Sequence, residues 1–336
     1  IIMTTHLTIN GKLILQLYPN TISNNDELIL NKYINSGSFS TVYSLKNNSN
    51  VIRIQNNEVD NTIKEYELNG LKLQLKLQEC KYVCKLHEYG RYKVIDEKIL
   101  NLYRDVNDNT EEHYGYYSII EKMNSSLFER KNKLMKPSVE NFWLIKKIAK
   151  QVLEFLECSH SNNIAHLDLK HENIMFNSCD NVRIIDFGFS CKIGSNLNMI
   201  LGTPDYIPPE KYLNKNNEEL DIYITDKQDI WALGIILLEL LLSRYIEKGC
   251  NDSNYINLAH VYMYDREKHL KNDIREIWRR YRFYLDDINI NSNFYDFLDM
   301  IINMLDNEPE NRFTATQCLN HPCFIIQGFV NIVENN

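Results

Sequence analysis

His166-Leu167-Asp168-Leu169-Lys170-His171-Glu172-Asn173, followed after a short apolar stretch by Asp186-Phe187-Gly188, decides the reading of this chain. The first stretch puts one carboxylate, one lysine and one amide on a single loop. The second adds another carboxylate on the next turn. Phosphoryl transfer needs this equipment: a carboxylate to orient a hydroxyl nucleophile, a cation for the moving charge, and hard oxygen ligands for Mg²⁺. Asp168 and Lys170 are therefore the candidate catalytic pair. Asn173 and Asp186 are the candidate metal ligands.

Working outward, four more stretches follow in order. They are Gly202-Thr203-Pro204-Asp205-Tyr206-Ile207-Pro208-Pro209-Glu210, then Asp229-Ile230-Trp231-Ala232-Leu233-Gly234, then Pro309-Glu310-Asn311-Arg312, then His321-Pro322-Cys323-Phe324. Asp-Phe-Gly alone is a weak signal; the ordered set is a specific one. It resembles the motif series of eukaryotic Ser/Thr protein kinases and covers about residues 34 to 325. The resemblance implies an α+β, bilobal fold with a small antiparallel β N-lobe carrying one main helix, and a larger helical C-lobe. It also implies ATP and Mg²⁺ as cofactors and transfer of the γ-phosphate to Ser/Thr hydroxyls of protein substrates.

The same resemblance assigns supporting roles. Asp229 holds the backbone of the catalytic loop, and Glu210 pairs with Arg312 as a structural bridge. Leu71, Leu86, His166 and Phe187 fall where the family stacks an internal column, so His166 is a packed residue and not a base. Thr203 hydrogen-bonds near Asp168. Ser190 and Ser195 read as loop serines. Lys170 and the Gly202-Thr203-Pro204 segment are of the Ser/Thr type. Leu167 stands where an arginine usually binds an activation-loop phosphate, which implies a kinase held ready by packing. The catalytic loop is similar to the calcium/calmodulin group and the end of the activation segment to Aurora-type kinases, so the subgroup stays open. Glu172 is placed to read a basic substrate residue, whereas Leu127 replaces an acid that would help it.

The N-terminal motifs depart further. Ile34 to Val42 resembles the glycine-rich turn over the phosphates, with Asn35, Gly37 and Ser40 at the three glycine positions; Gly37 lets the backbone approach. Val51 and Arg53 stand where alanine and lysine are usual. Arg53 keeps the charge but is longer and planar, and the two cations are not interchangeable at a shaped site. Its helix partner is Glu67, since Leu71 lies four residues on along one face, with Glu65 as the alternative. Glu121 and Met123 supply hinge backbone for adenine, with Ile120 behind it. Ile34, Gly37, Val42, Val51, Arg53, Glu67, Glu121, Met123, Asn173 and Asp186 are thus the candidate cofactor residues. The departures at 51, 53 and the glycine turn open a second reading, a pseudokinase scaffold.

The totals fit. The chain has 336 residues, 44% hydrophobic and 24% charged, enough for two lobes with real cores. Its net charge of −8 argues against nucleic acid as a main partner. No apolar run reaches the ~18 residues of a membrane span; Ile230–Leu242 reads as a buried helix. Eight cysteines lack any CxxC pair, and a Cys80/Cys84/His87 metal cluster has no fourth ligand. Reduced thiols and a cytoplasmic or nuclear compartment are the expectation. The organisation expected is an extension over 1–33 with a strand at Leu13–Tyr18, an N-lobe over 34–122, a C-lobe over 123–328 and a tail over 329–336. Residues 62–77 have a helical pattern, 83–92 and 116–123 read as strands, and the acidic stretch 96–113 reads as a loop. Phe142 to Leu156 carries an apolar stripe at helical spacing.

Overall fold

Alternation of apolar and polar residues builds the first unit. The computed structural model describes residues 5–9, 12–19, 27–36, 40–46, 49–56, 61–94, 114–213, 222–243, 258–284 and 288–325. Gly37 and the acidic stretch 96–113 lie outside these. The chain divides into two compact units, 1–79 with 83–124, and 80–82 with 125–336. The second unit therefore starts two residues beyond the expected junction and also includes a three-residue outlier at 80–82.

In the first unit seven strands close into a barrel: β1 Thr5–Ile9, β2 Lys12–Pro19, β3 Glu27–Ser36, β4 Ser40–Leu45, β5 Asn50–Gln55, β6 Leu86–Val94 and β7 Tyr114–Glu121. The order around it is β1-β2-β6-β7-β5-β4-β3, with β1 returning parallel to β3. The Leu13–Tyr18 run is thus part of β2, antiparallel to β6. β3 starts at Glu27 and crosses the boundary placed at 33/34. Irregular register between Leu30 and Lys32, and again between Tyr33 and Asn35, hides its alternation from the sequence. Every second residue points inward, so Leu17, Leu28, Tyr43, Leu45, Ile52, Tyr117 and Ile119 fill the barrel. Tyr117 Oη donates to the buried Glu88 carboxylate at 2.5 Å, and burial drives its phenol pKa up. The opposite sheet face meets helix α1, Asn61–Lys76, through Leu71, Leu86, Tyr89 and Tyr116.

The second unit is mainly helical. α2, Leu127–Leu134, opens on a capping box between Ser126 and Glu129. α3, Val139–Ser161, is capped by Ser138 and buries Phe142, Ile145, Ile148, Ala149, Val152, Leu153 and Leu156, the stripe read from the sequence. After α4, Glu210–Leu213, comes α5, Lys227–Leu242, buried along nearly its whole length. Its Gly234 leaves room for a neighbour: an added Cβ would stand 2.8 Å from Leu305. α6, Leu258–Tyr281, α7, Ile288–Met304, and α8, Ala315–Leu319, complete the unit. Among the described residues no helix is long and apolar enough to cross a membrane.

One expectation is corrected. Cys80 and Cys158 form a disulfide that closes a 78-residue separation, so the thiols are not all reduced. Such a pairing joins remote positions, and spacing alone does not reveal it. Cys80 is thereby unavailable to a Cys80/Cys84/His87 metal cluster, and the argument for a reducing compartment loses its basis. The bridge fastens the segment after α1 to α3. Ile184 N–H donates to Tyr82 O at 2.8 Å, and Lys81 pairs with Glu154 at 3.7 Å in the same place. Closing so long a loop stabilises by about 2–5 kcal/mol through the unfolded state. Thermal unfolding with and without dithiothreitol should show a lower midpoint on reduction. Cys158→Ser should already sit at that lower midpoint and not respond to reductant.

Candidate active site

The catalytic loop hangs between two very short strands, β9 Ile164–Ala165 and β10 Ile174–Phe176; β8, Ser125–Ser126, pairs with β10. Asp229, in the first turn of α5, pins the loop's entrance. Its carboxylate accepts from His166 N–H and Leu167 N–H, both at 2.8 Å, and lies 2.9 Å from His160 Nε2. Burial alone would raise its pKa; the His160 hydrogen bond and charge and the His166 contacts outweigh that and hold it low. Leu167 is thereby kept at φ 65°, a conformation costing about 1 kcal/mol or more for a side chain with a Cβ. Gly202 passes directly above. At φ 105°, a Cβ there would sit 2.3 Å from Leu167 O, so the position requires glycine.

Asp168 follows, 4% exposed. One carboxylate oxygen accepts from Thr203 N–H at 3.0 Å and Thr203 Oγ1 at 2.7 Å. The other accepts from Lys170 Nζ at 2.8 Å and Asn173 Nδ2 at 3.0 Å. Lys170 also donates to Thr203 Oγ1 at 2.9 Å. Asn173 Nδ2 reaches back to Asp168 O at 2.8 Å, which fixes the amide and leaves its oxygen on the other side. The hairpin of β10 with β11, Val182–Ile184, ends with Ile185 N–H donating to Asn173 O at 3.1 Å. Asn173 and Asp186 therefore leave the same end of one hairpin. Asp186 itself is held at φ 62°, as sparsely populated a conformation as that of Leu167. An amide oxygen and a carboxylate are the ligand types a hard divalent cation takes.

His166 is fully buried. Its Nε2 faces Ile185 O at 3.0 Å, and its ring centroid stands 5.0 Å from that of Phe187. It packs between Phe155 and Phe187. Ser190 is buried too, whereas Ser195 is half-buried just after the turn at 193–194. Beneath the 202–210 segment, Glu210 and Arg312 form a two-pronged bridge with both bonds at 2.9 Å.

In the first unit, register places Val42 opposite Arg53, and Val51 two residues away on the same sheet face. Arg53 pairs with Glu67 of α1, its second nitrogen donating at 3.4 Å, while Glu65 is exposed. Ile34 falls at the irregular register of β3 and is 45% exposed. Ile120 packs against the Leu71–Leu86 cluster. Glu121 N–H is committed to Lys85 O at 3.0 Å. Met123, half-buried, makes no hydrogen bond among the described residues.

The family model for the protein kinase domain matches residues 28–324. The chain belongs to the protein kinase family. It is 29% identical over 315 residues to a "probable cyclin-dependent serine/threonine-protein kinase" of Dictyostelium discoideum, covering 87% of this chain and 20% of that one. It is 33% identical over 181 residues to the phosphorylase b kinase gamma catalytic chain, liver/testis isoform, of Mus musculus, covering 53% and 40%. It is 31% identical over 182 residues to the serine/threonine-protein kinase cds1 of Schizosaccharomyces pombe, covering 53% and 35%. The chain thus spans well under half the length of these relatives. Their names belong to three kinds of kinase, and no single branch stands out.

Sequence reading missed part of the C-terminal unit of this protein kinase domain. His160 touches Asp229 from the end of α3, six residues before His166, and only its place on the helix could have suggested that. His171 is buried, with Nδ1 3.0 Å from Tyr206 Oη and 3.5 Å from the Glu239 carboxylate. Burial and the Lys131 charge pull its pKa down to about 4, so it is neutral near pH 7. Lys131 is itself buried, its ammonium over the Phe128 ring. Burial lowers its pKa, against the opposing pull of Glu172 and Glu239. Nothing local in the sequence marks a lysine for burial.

Proposed function

We propose that this chain transfers the γ-phosphoryl group of ATP to serine or threonine hydroxyls of proteins. The observation that carries the proposal is the closed network of Asp168, Lys170, Asn173 and Thr203. Asp168 receives the substrate hydroxyl and aims it in line with the phosphate. With four bonds already made, its carboxylate must release one donor to do so. Lys170, the more exposed donor, moves to the phosphate and neutralises its charge. Asn173 and Asp186 would hold Mg²⁺, which when bound screens the charge of the phosphates. The Arg53–Glu67 pair offers the guanidinium to the α- and β-phosphates, and Ile34, Val42 and Val51 enclose the adenine next to Met123. Gly37 belongs to the same proposal from sequence alone. Because Glu172 already shares its field with Lys131, and Leu127 is buried, substrates selected for arginine are not favoured.

A second reading, a scaffold without catalysis, draws on Arg53, whose charge is already matched by Glu67. ATP–Mg²⁺ binding and autophosphorylation separate the two. The native chain should bind nucleotide and label itself slowly. Asp186→Ala should abolish labelling, and Arg53→Lys should raise it. A native chain that binds no nucleotide would leave the scaffold reading.

A further inference from the structure

Helix α6 continues through a 3-10 turn at Arg282–Tyr284. One stripe of this element, Leu270, Asp273, Ile277 and Tyr281, is buried, with the Tyr281 ring 5.2 Å from Phe294. The outward stripe has a different character. The nine exposed positions between 268 and 284 comprise five cations, three aromatic rings and Asn272, with no acid among them. The cations are Lys268, Lys271, Arg275, Arg279 and Arg282, spaced so that all lie along one side. The two acids inside this stretch do not face outward: Asp273 is buried and Glu276 half-buried. Among the described residues, Arg275, Arg279 and Arg282 form no ion pair. Trp278, Phe283 and Tyr284 stand beside them, Phe283 70% exposed, with the Arg282 guanidinium 4.5 Å from its ring centroid. In a chain of net charge −8 this concentration is not explained by solubility.

We propose that this ridge docks an acidic, aromatic-bearing segment of a protein partner. Charge complementarity selects the acid. Arginine forks at three positions suit carboxylates, which they bind by two parallel bonds. Exposed Trp and Tyr beside Arg is the composition of protein-interface hot spots. The ridge runs about 21 Å from Lys268 to Arg282 at 1.5 Å per residue, the reach of roughly six extended residues. A bilayer is the poorer match, because the helix's own apolar stripe is spent on the core and only three rings remain to enter lipid. α6 also packs on the Pro204–Tyr206 turn, so a docked segment lies in the same unit as Asp168 and Thr203.

The probe is labelled poly(Glu,Tyr), with polyuridylate and phosphatidylserine-containing vesicles run beside it. The native chain should bind poly(Glu,Tyr) in a salt-sensitive manner. The triple variant Arg275→Glu/Arg279→Glu/Arg282→Glu should bind it about tenfold or more weakly, and Phe283→Ala should show an intermediate loss. ATP–Mg²⁺ binding and thermal midpoint should match the native chain, since these side chains face solvent. The proposal is overturned if the native chain ignores poly(Glu,Tyr), or if the substitutions leave its affinity unchanged. Tighter binding of polyuridylate or vesicles, lost in the same variants, would overturn it in favour of those partners.

Discussion

Asp168→Asn is expected to slow phosphoryl transfer about 10²- to 10⁴-fold, the range for a positioned acid–base side chain. The argument starts from the four hydrogen bonds on the carboxylate. Every partner is a donor: Thr203 N–H and Oγ1 on one oxygen, Lys170 and Asn173 on the other. An amide of the same shape has one oxygen and one NH₂. Turned one way, the amide NH₂ meets Lys170 and Asn173, two donors; turned the other, it meets the Thr203 N–H. On the proposed function, the substrate hydroxyl also loses the carboxylate placed to accept its proton. Folding should suffer far less than turnover, because the loop is still pinned by Asp229 and by Gly202 against Leu167. Initial rates on a protein substrate, set beside nucleotide affinity and thermal midpoint, test this. A rate within threefold of native, with binding intact, would remove Asp168 from the mechanism.

Arg312→Leu should lower folding stability by about 3–5 kcal/mol, the cost of leaving a largely buried charge without its partner. Arg312 is 1% exposed. Besides its two bonds to Glu210 it donates to Asp306 O at 2.9 Å and Lys227 O at 3.0 Å, and lies 5.0 Å from the Trp231 ring. One side chain thus ties the 202–210 segment, the start of α5 and the loop after α7. Removing it leaves two carbonyls and a carboxylate short of a donor. Chemical denaturation of Arg312→Leu, Glu210→Gln and the double variant gives a coupling energy. Glu210→Gln should cost less, since the amide still offers Arg312 one acceptor oxygen and Arg312 keeps its two carbonyls. Strictly additive effects would mean that the pair does not act as one bridge.

The degree to which the fold was legible tracks how local its causes are. The α3 stripe and the mostly apolar α5 could be read directly, because helix burial repeats within a few residues. The catalytic loop was legible because Asp168, Lys170 and Asn173 lie within six residues and share one chemical purpose. What escaped was remote or irregular. The Cys80–Cys158 bridge spans 78 residues. β3 lost its alternation to two shifts of register, so its first half was assigned to an extension. His171 and Lys131 carry charge-capable groups into the interior, against the ordinary preference of their types, and only tertiary packing decides that.

The ring of seven strands sets a lower limit on how far the amino end can be trimmed. A fragment cut to the family-matched span would begin at residue 28, without the hairpin that joins β3 to β6. Both of those strands would then present unpaired backbone to solvent, and Leu17 would leave a hole against Tyr43 and Tyr117. Sticky, poorly soluble material would be the natural outcome of such a cut, and its failure would say nothing about chemistry at Asp168.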